Sequence, residues 1–189
     1  MYGSIYLTYF IGMRDLVNTD GTSLGMVNQL DLSPLDEALA LLHFGFRAVV
    51  AEPDRILARR GLGRLHHRIL FFVARQPGLR MSELLALLGI SKQALHGPMR
   101  QLVARDLVHS RVDPQSRRSR CLRLSRSGAA LEEKLSSIQR ELFAQAFAAA
   151  GPQAERGFRA VLAKIIRPLA STAPQTAPPT RVSKRRHAR

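Results

Sequence analysis

The chain of 189 residues carries 29 Lys and Arg against 14 Asp and Glu, a formal net charge of +15, with 46% apolar residues and no tryptophan. That apolar share builds a packed core and excludes a disordered chain, while the lone Cys121 excludes an internal disulfide and fits a reducing cytoplasm. No run approaches the roughly 18 apolar residues of a membrane span, and the charge calls for a polyanionic partner, nucleic acid before an anionic membrane surface.

Residues 1–32 read as an N-terminal extension. Its aromatic opening, Tyr2–Met13, is short and lacks a basic leader, which makes it a poor signal peptide; Met13 and Met26 are alternative starts. Ser33-Pro34 reads as an N-cap followed by Pro at the first helical position, with Asp36 and Glu37 suited to the positive end of a helix. Leu35, Leu39, Leu42, Phe46 and Val49 recur at helical spacing and predict a helix over 34–51. Pro53 and Gly61-Leu62-Gly63 punctuate the stretch before the next helix, with a short helical turn between them.

A second helix is predicted over 63–76, with Leu65, Ile69, Phe72 and Val73 on one face, stopping at Gln76-Pro77-Gly78. Leu79–Met81 is a short extended piece. Ser82 then caps a small helix over 83–88 that Gly89 closes, and Ser91 caps another over 92–105. Two short helices joined only by Gly89–Ser91 form a helix-turn-helix pattern. Leu107–Val112 and Ser119–Leu124 read as strands around Asp113-Pro114-Gln115-Ser116, with Pro in the second position of a type I turn.

Ser125 caps a long helix over 126–149 with the stripe Leu131, Leu135, Ile138, Leu142 and Ala146. Gly151-Pro152 breaks it, and a last helix carries Phe158, Val161, Leu162, Ile165 and Leu169. Residues 171–189 lack periodicity and read as a disordered basic tail with Arg181, Lys184, Arg185, Arg186 and Arg189. Without those five cations the body still holds 24 basic against 14 acidic residues. The expected fold class is mainly α with a small β-wing, a winged helix-turn-helix.

The helix that opens at Ser91 sets Leu95, Met99, Leu102 and Val103 as a buried stripe. Lys92, Gln93, His96, Gly97 and Arg100 face the other way, a set rich in donors and free of acids, suited to base edges and phosphates in a major groove. The same pattern also suits an ordinary solvated helix. Pro98 deletes one helical hydrogen bond, so a kink near Ala94–Leu95 is expected, and Gly97 weakens the helix by a further ~1 kcal/mol. Between Arg111 and Arg126 stand six arginines (111, 117, 118, 120, 123 and 126) and one acid, Asp113. Like charges on adjacent strands destabilise a hairpin. Arginines at its tip are suited to a narrow, electronegative minor groove.

These residues also carry a resemblance. Asp113-Pro114-Gln115-Ser116-Arg117-Arg118, then Leu122-Arg123-Leu124-Ser125-Arg126-Ser127-Gly128, follow the pattern D-P-x-D-R-R…V-x-L-T-x-x-G. With Leu84, Leu88-Gly89-Ile90-Ser91, Leu102 and Leu107-Val108, residues 62–150 resemble the MarR family of bacterial winged-helix regulators. The resemblance implies a domain over 33–170, with a DNA-binding core at 62–125 and dimerisation helices at 34–60 and 126–169. It implies that Arg117 or Arg118 enters the minor groove and that the Ser91 helix reads the major groove. Ser91, Lys92, Gln93, His96, Arg100, Arg117, Arg118 and Arg120 are therefore the candidate DNA-binding residues. Three departures stand out: Ser116 for the usual wing Asp, Gly97 for a common Arg, and Asp106 for the usual Gly.

The long helices expose more apolar surface than the winged core can cover. Two copies could bury it, with half-sites about one helical turn, roughly 34 Å, apart on palindromic DNA; alternatively the Leu131–Ala146 stripe serves only an internal core. Many members of the family bind small aromatic or phenolic ligands between the winged core and the dimer helices, and the resemblance offers that partner here without naming it. His66-His67 invites a metal reading, but adjacent helical residues point about 100° apart, so one histidine facing the core or the dimer cleft is preferred. Cys121, beside Arg120 and Arg123, is a redox candidate away from the family's usual sensing place. There is no nucleophile with a base partner, no phosphate loop and no metal-ligand cluster, so neither catalysis nor a cofactor is expected. The leading reading is a cytoplasmic, homodimeric, sequence-specific DNA-binding regulator. The alternatives are a nonspecific architectural nucleic-acid-binding protein and, third, an enzyme or membrane-associated interaction module.

Overall fold

The computed structural model describes residues 32–113 and 116–171, without the side chains of 113–119 and 168–171. Residues 1–31 of the expected extension with its alternative starts, the centre of the wing turn at 114–115 and residues 172–189 of the expected basic tail lie outside the described residues, while Ser171, expected in the tail, ends the last helix. The elements run α1 (Pro34–Ala58), α2 (Arg64–Arg75), β1 (Leu79–Arg80), α3 (Met81–Leu88), α4 (Lys92–Ala104), β2 (Val108–Asp113), β3 (Ser116–Leu124), α5 (Arg126–Ala150) and α6 (Pro152–Ser171).

Serine caps start three of the helices, as their positions predict. Ser33 Oγ accepts from the Asp36 N–H at 3.2 Å, Ser91 Oγ from Ala94 at 3.2 Å, and Ser125 Oγ from Gly128 at 2.9 Å. α3 departs from expectation. It begins at Met81 instead of residue 83, with Arg80 at the cap and its N–H donating to the Glu83 carboxylate at 2.8 Å, so Ser82 falls in the first turn.

α1 is the larger correction, for it runs through Pro53 to Ala58. Proline removes one donor and leaves the carbonyl four residues earlier unbonded. Here that carbonyl belongs to Val49, and it accepts from Gln139 Nε2 of α5 at 3.2 Å. Pro53 and Leu57 are buried, so packing holds the helix on both sides of the proline.

The sheet has three strands in the order β1-β3-β2, all antiparallel, where a two-strand hairpin was expected. Leu79 pairs with Leu122, which stitches the segment before α3 onto the outgoing wing strand. β3 starts three residues earlier than periodicity suggests, and the register shifts between Val112 and Asp113. The core gathers Leu57 of α1, Ile69 and Leu70 of α2, Leu84 of α3, Leu95 and Leu102 of α4, Leu122 of β3, and Leu131 and Leu135 of α5. By contrast Leu35, Leu39, Leu42 and Phe46, the outer half of the α1 stripe, are each at least 50% exposed in the single chain. No helix among the described residues is long and apolar enough to cross a membrane.

Candidate nucleic-acid interface

α3 ends at Gly89, whose φ of +63° turns the chain into α4. Arg68 of α2 donates to the Leu88 carbonyl at 3.2 Å and closes that turn from behind. Leu95, Met99 and Leu102 bury one face of α4. Val103, expected in the same stripe, is 43% exposed, because one residue beyond Leu102 the helix has turned by about 100°. Lys92, Gln93, His96 and Arg100 are all exposed, and Ser91 spends its hydroxyl on the cap.

Pro98 does not end the helix, which is continuous from Lys92 to Ala104. The carbonyl it leaves free is that of the exposed Ala94, open to water. A Cβ on the residue before proline disfavours helical geometry; Gly97 has none, and the pair is thereby tolerated together.

α4 is pinned on its flank. Gln101 Oε1 accepts from His66 Nε2 at 2.8 Å, and His66 Nδ1 accepts from the Gly63 N–H at 2.9 Å, which assigns the ring proton to Nε2. His66 and His67 are both buried, where only one was expected inward. Burial pushes the His67 pKa below the usual histidine value, Glu132 and Asp54 opposing that shift and Arg75 adding to it. No group of three metal-ligating side chains occurs among the described residues.

The wing leaves the end of α4 through Asp106, a non-glycine residue with φ of +51°. This left-handed conformation costs glycine nothing and is one that Asp tolerates better than most side chains, so the residue type carries no warning of it. Asp106 is held from both sides. Its carbonyl accepts from Ser125 Oγ at 2.6 Å and Ser127 Oγ at 2.7 Å, and its carboxylate meets His109 Nε2 at 2.8 Å. Ser125 N–H donates to the Leu107 carbonyl at 3.1 Å, and the buried Gly128 packs onto the same carbonyl. The start of α5 is thus seated on the root of the wing.

On the hairpin, Arg111, Arg120 and Arg123 are exposed, as is Arg126 in the first turn of α5. Arg120 does not extend freely. Its Nε donates to Ser110 Oγ and its Nη2 to the Ser110 carbonyl, both at 2.8 Å, strapping the guanidinium across the two strands. Arg117 and Arg118 belong to β3, farther toward the tip, and their side chains lie outside the described residues. Half-buried Cys121 sits in the middle strand, opposite Arg80 on one side and Arg111 on the other. The Ser91 helix and the arginine hairpin are thereby brought together, α4 packing against β2.

A second site was not read from the sequence because four helices assemble it. A cavity of about 500 Å³ lies between α1, α2, α5 and α6, lined among others by Phe71, Arg75, Gln139, Phe143, Phe147 and Phe158. The rings of Phe143, Phe147 and Phe158 lie 5.6–5.9 Å apart. The Arg75 guanidinium stacks 3.7 Å over Phe71, bonds to buried Glu132, and donates to Ser136 Oγ at 3.3 Å. Arg140 and Arg159 also border the space.

Comparison with known proteins gives the same picture. The MarR family model matches residues 60–119. The chain is 42% identical over 134 residues to the HTH-type transcriptional regulator PetP of Rhodobacter capsulatus, covering 71% of this chain and 81% of that one. It is similar to the MepR–DNA complex of S. aureus, with a TM-score of 0.56, 21% identity, and 68% of this chain and 95% of that one covered. It is also similar to NadR in complex with 4-hydroxyphenylacetate, with a TM-score of 0.58, 18% identity, and 73% and 96% covered. At those identities the two structures speak for the fold.

Proposed function

We propose, from the premise that this chain belongs to the MarR family of transcriptional regulators, that it works in the cytoplasm as a homodimer on palindromic operators and responds to a small aromatic ligand. The observation that carries the DNA reading is the exposed, acid-free set Lys92, Gln93, His96 and Arg100 on α4 beside the arginine hairpin. α4 reads base edges from the major groove, and Arg117 or Arg118 reaches the minor groove. Ser91 orders the helix start, and Arg120 stiffens the wing through Ser110. The extension at 1–32 and the tail at 171–189 are accessory, the tail touching phosphates only.

Dimerisation is supported by apolar side chains that one copy leaves in water: Leu35, Leu39 and Phe46 on α1, and Val161, Ile165 and Ile166 on α6. A second copy that covers them presents two α4 helices to one side of the duplex. The ligand reading rests on the cavity beneath α6, whose phenylalanines suit an aromatic ring and whose Arg75, Arg140 and Arg159 suit an acidic substituent.

The test is a gel shift on fragments selected from the source genome, with excess competitor DNA, alongside sedimentation. A dimer whose Arg118→Ala variant stays dimeric and binds at least about tenfold more weakly is expected. Unchanged affinity would remove the wing assignment. Equal binding to every duplex would favour the nonspecific architectural reading instead. For the ligand, a panel of aromatic acids should raise the unfolding temperature and release the operator, and a Phe147→Ala variant should lose both effects.

A further inference from the structure

The turn between α1 and α2 is strongly basic and lies against the flank of α4. Residues 55–64 include Arg55, Arg59, Arg60 and Arg64 and no acid. Arg55 is paired with Glu52 and Arg64 with Asp54, whereas Arg59, Arg60 and Arg105 form no salt bridge among the described residues. All three are exposed. The first turn of α2 contains no acid either, so Arg64 sits at the positive end of a helix, an arrangement unfavourable in isolation.

Two contacts place this turn. Arg105, at the end of α4, donates to the Arg60 carbonyl, and Gln101, four residues earlier on the same flank, holds His66 of α2. The basic turn therefore lies beside the C-terminal end of the helix that carries Lys92, His96 and Arg100. A helix about 10–12 Å across fills a major groove about 12 Å wide, so both of its flanks meet phosphate walls.

We infer that Arg59 and Arg60 form a separate phosphate-binding cluster, which grips the backbone strand bordering the major groove on the Gln101 and Arg105 side of α4. This rests on the proposed DNA-binding function. The cluster adds affinity without sequence preference, because phosphate contacts position a protein and do not read bases. Arg105 is its brace: its bond to the Arg60 carbonyl fixes the turn against α4.

The test uses the full chain and a labelled mixed-sequence duplex of about 40 base pairs, with Kd measured by fluorescence anisotropy between roughly 50 and 300 mM KCl. For Arg59→Gln/Arg60→Gln, the slope of log K against log salt should shrink by about 2, and Kd near 150 mM should rise about five- to tenfold. Arg59→Lys/Arg60→Lys should restore most of both, which a merely structural role for arginine in the turn would not. The loss should be of the same size on a selected operator. Wild-type binding with slope and Kd unchanged in the Gln variant would overturn the cluster alone. A wild-type chain that binds no duplex would overturn the parent reading and this one with it.

Discussion

Gly128→Ala tests how the wing is joined to the rest of the molecule. A Cβ built on Gly128 lies 2.8 Å from the Leu107 carbonyl carbon and 3.2 Å from its Cα, and closer still to the oxygen. Carbon pairs settle near 3.5–4.0 Å, so a displacement of roughly an ångström is required. The obstacle is backbone on both sides and no side chain can swing away. Moving α5 outward also stretches the Ser125 N–H bond to that carbonyl and the two serine bonds to Asp106. Overpacking of about 1–3 kcal/mol with the loss of one or two hydrogen bonds gives about 2–4 kcal/mol, or a Tm lower by roughly 5–15 °C for a chain of this size. Circular dichroism melts at fixed protein concentration measure it. Gly157→Ala in α6, where a Cβ meets nothing in the protomer, is the control and should be neutral or gain up to about 1 kcal/mol. A Gly128→Ala melt within about 2 °C of wild type would show that the junction yields, and that the wing is not held by this contact.

Asp106, His67 and Arg75 each give a further expected outcome. Asp106→Ala should lose about 1 kcal/mol in urea unfolding, since alanine tolerates a positive φ poorly, while Asp106→Gly should match or exceed wild type. His67 has a pKa lowered in the fold by burial, so the unfolded chain binds its proton first; stability is full above the unfolded value near 6.5 and falls as pH drops below it. His67→Gln should flatten the pH 7 to 5 part of a Tm profile, and an unaltered profile would contradict the assignment. Arg75→Met should cost about 2–3 kcal/mol by stripping the cation from buried Glu132, with a discount because Arg75 is 39% exposed, and Arg75→Met/Glu132→Gln should recover part of that loss.

Local chemistry made most of the elements legible. Serine caps, the Gly89 turn and the Gly151-Pro152 break each act within a few residues, so Ser33, Ser91 and Ser125 open their helices where their positions predict. Longer-range partners account for the misreadings. Pro53 looks like a stop until Gln139, 86 positions away, takes up the carbonyl it frees. Leu79 looks like a linker until it pairs with Leu122. His66 could not be placed without Gly63 and Gln101, because its two ring bonds depend on a turn and on another helix. Of the candidate site, the outward residues of α4 follow from helical phase, whereas the bond of Arg120 to Ser110 depends on strand register and has no local signal. The cavity had no linear signature, since its phenylalanines come from three helices.

The bond from Gln139 to Val49 has a mechanical consequence. A helix interrupted by proline is ordinarily a place where two halves can flex independently, and a neighbouring helix can slip past in steps of a turn. Here the amide of Gln139 bonds α1 at the point of weakness and ties it to the middle of α5. The N-terminal end of the same α5, at Ser125 and Gly128, rests on the base of the wing, so one helix bonds both the proline segment of α1 and the seat of the hairpin.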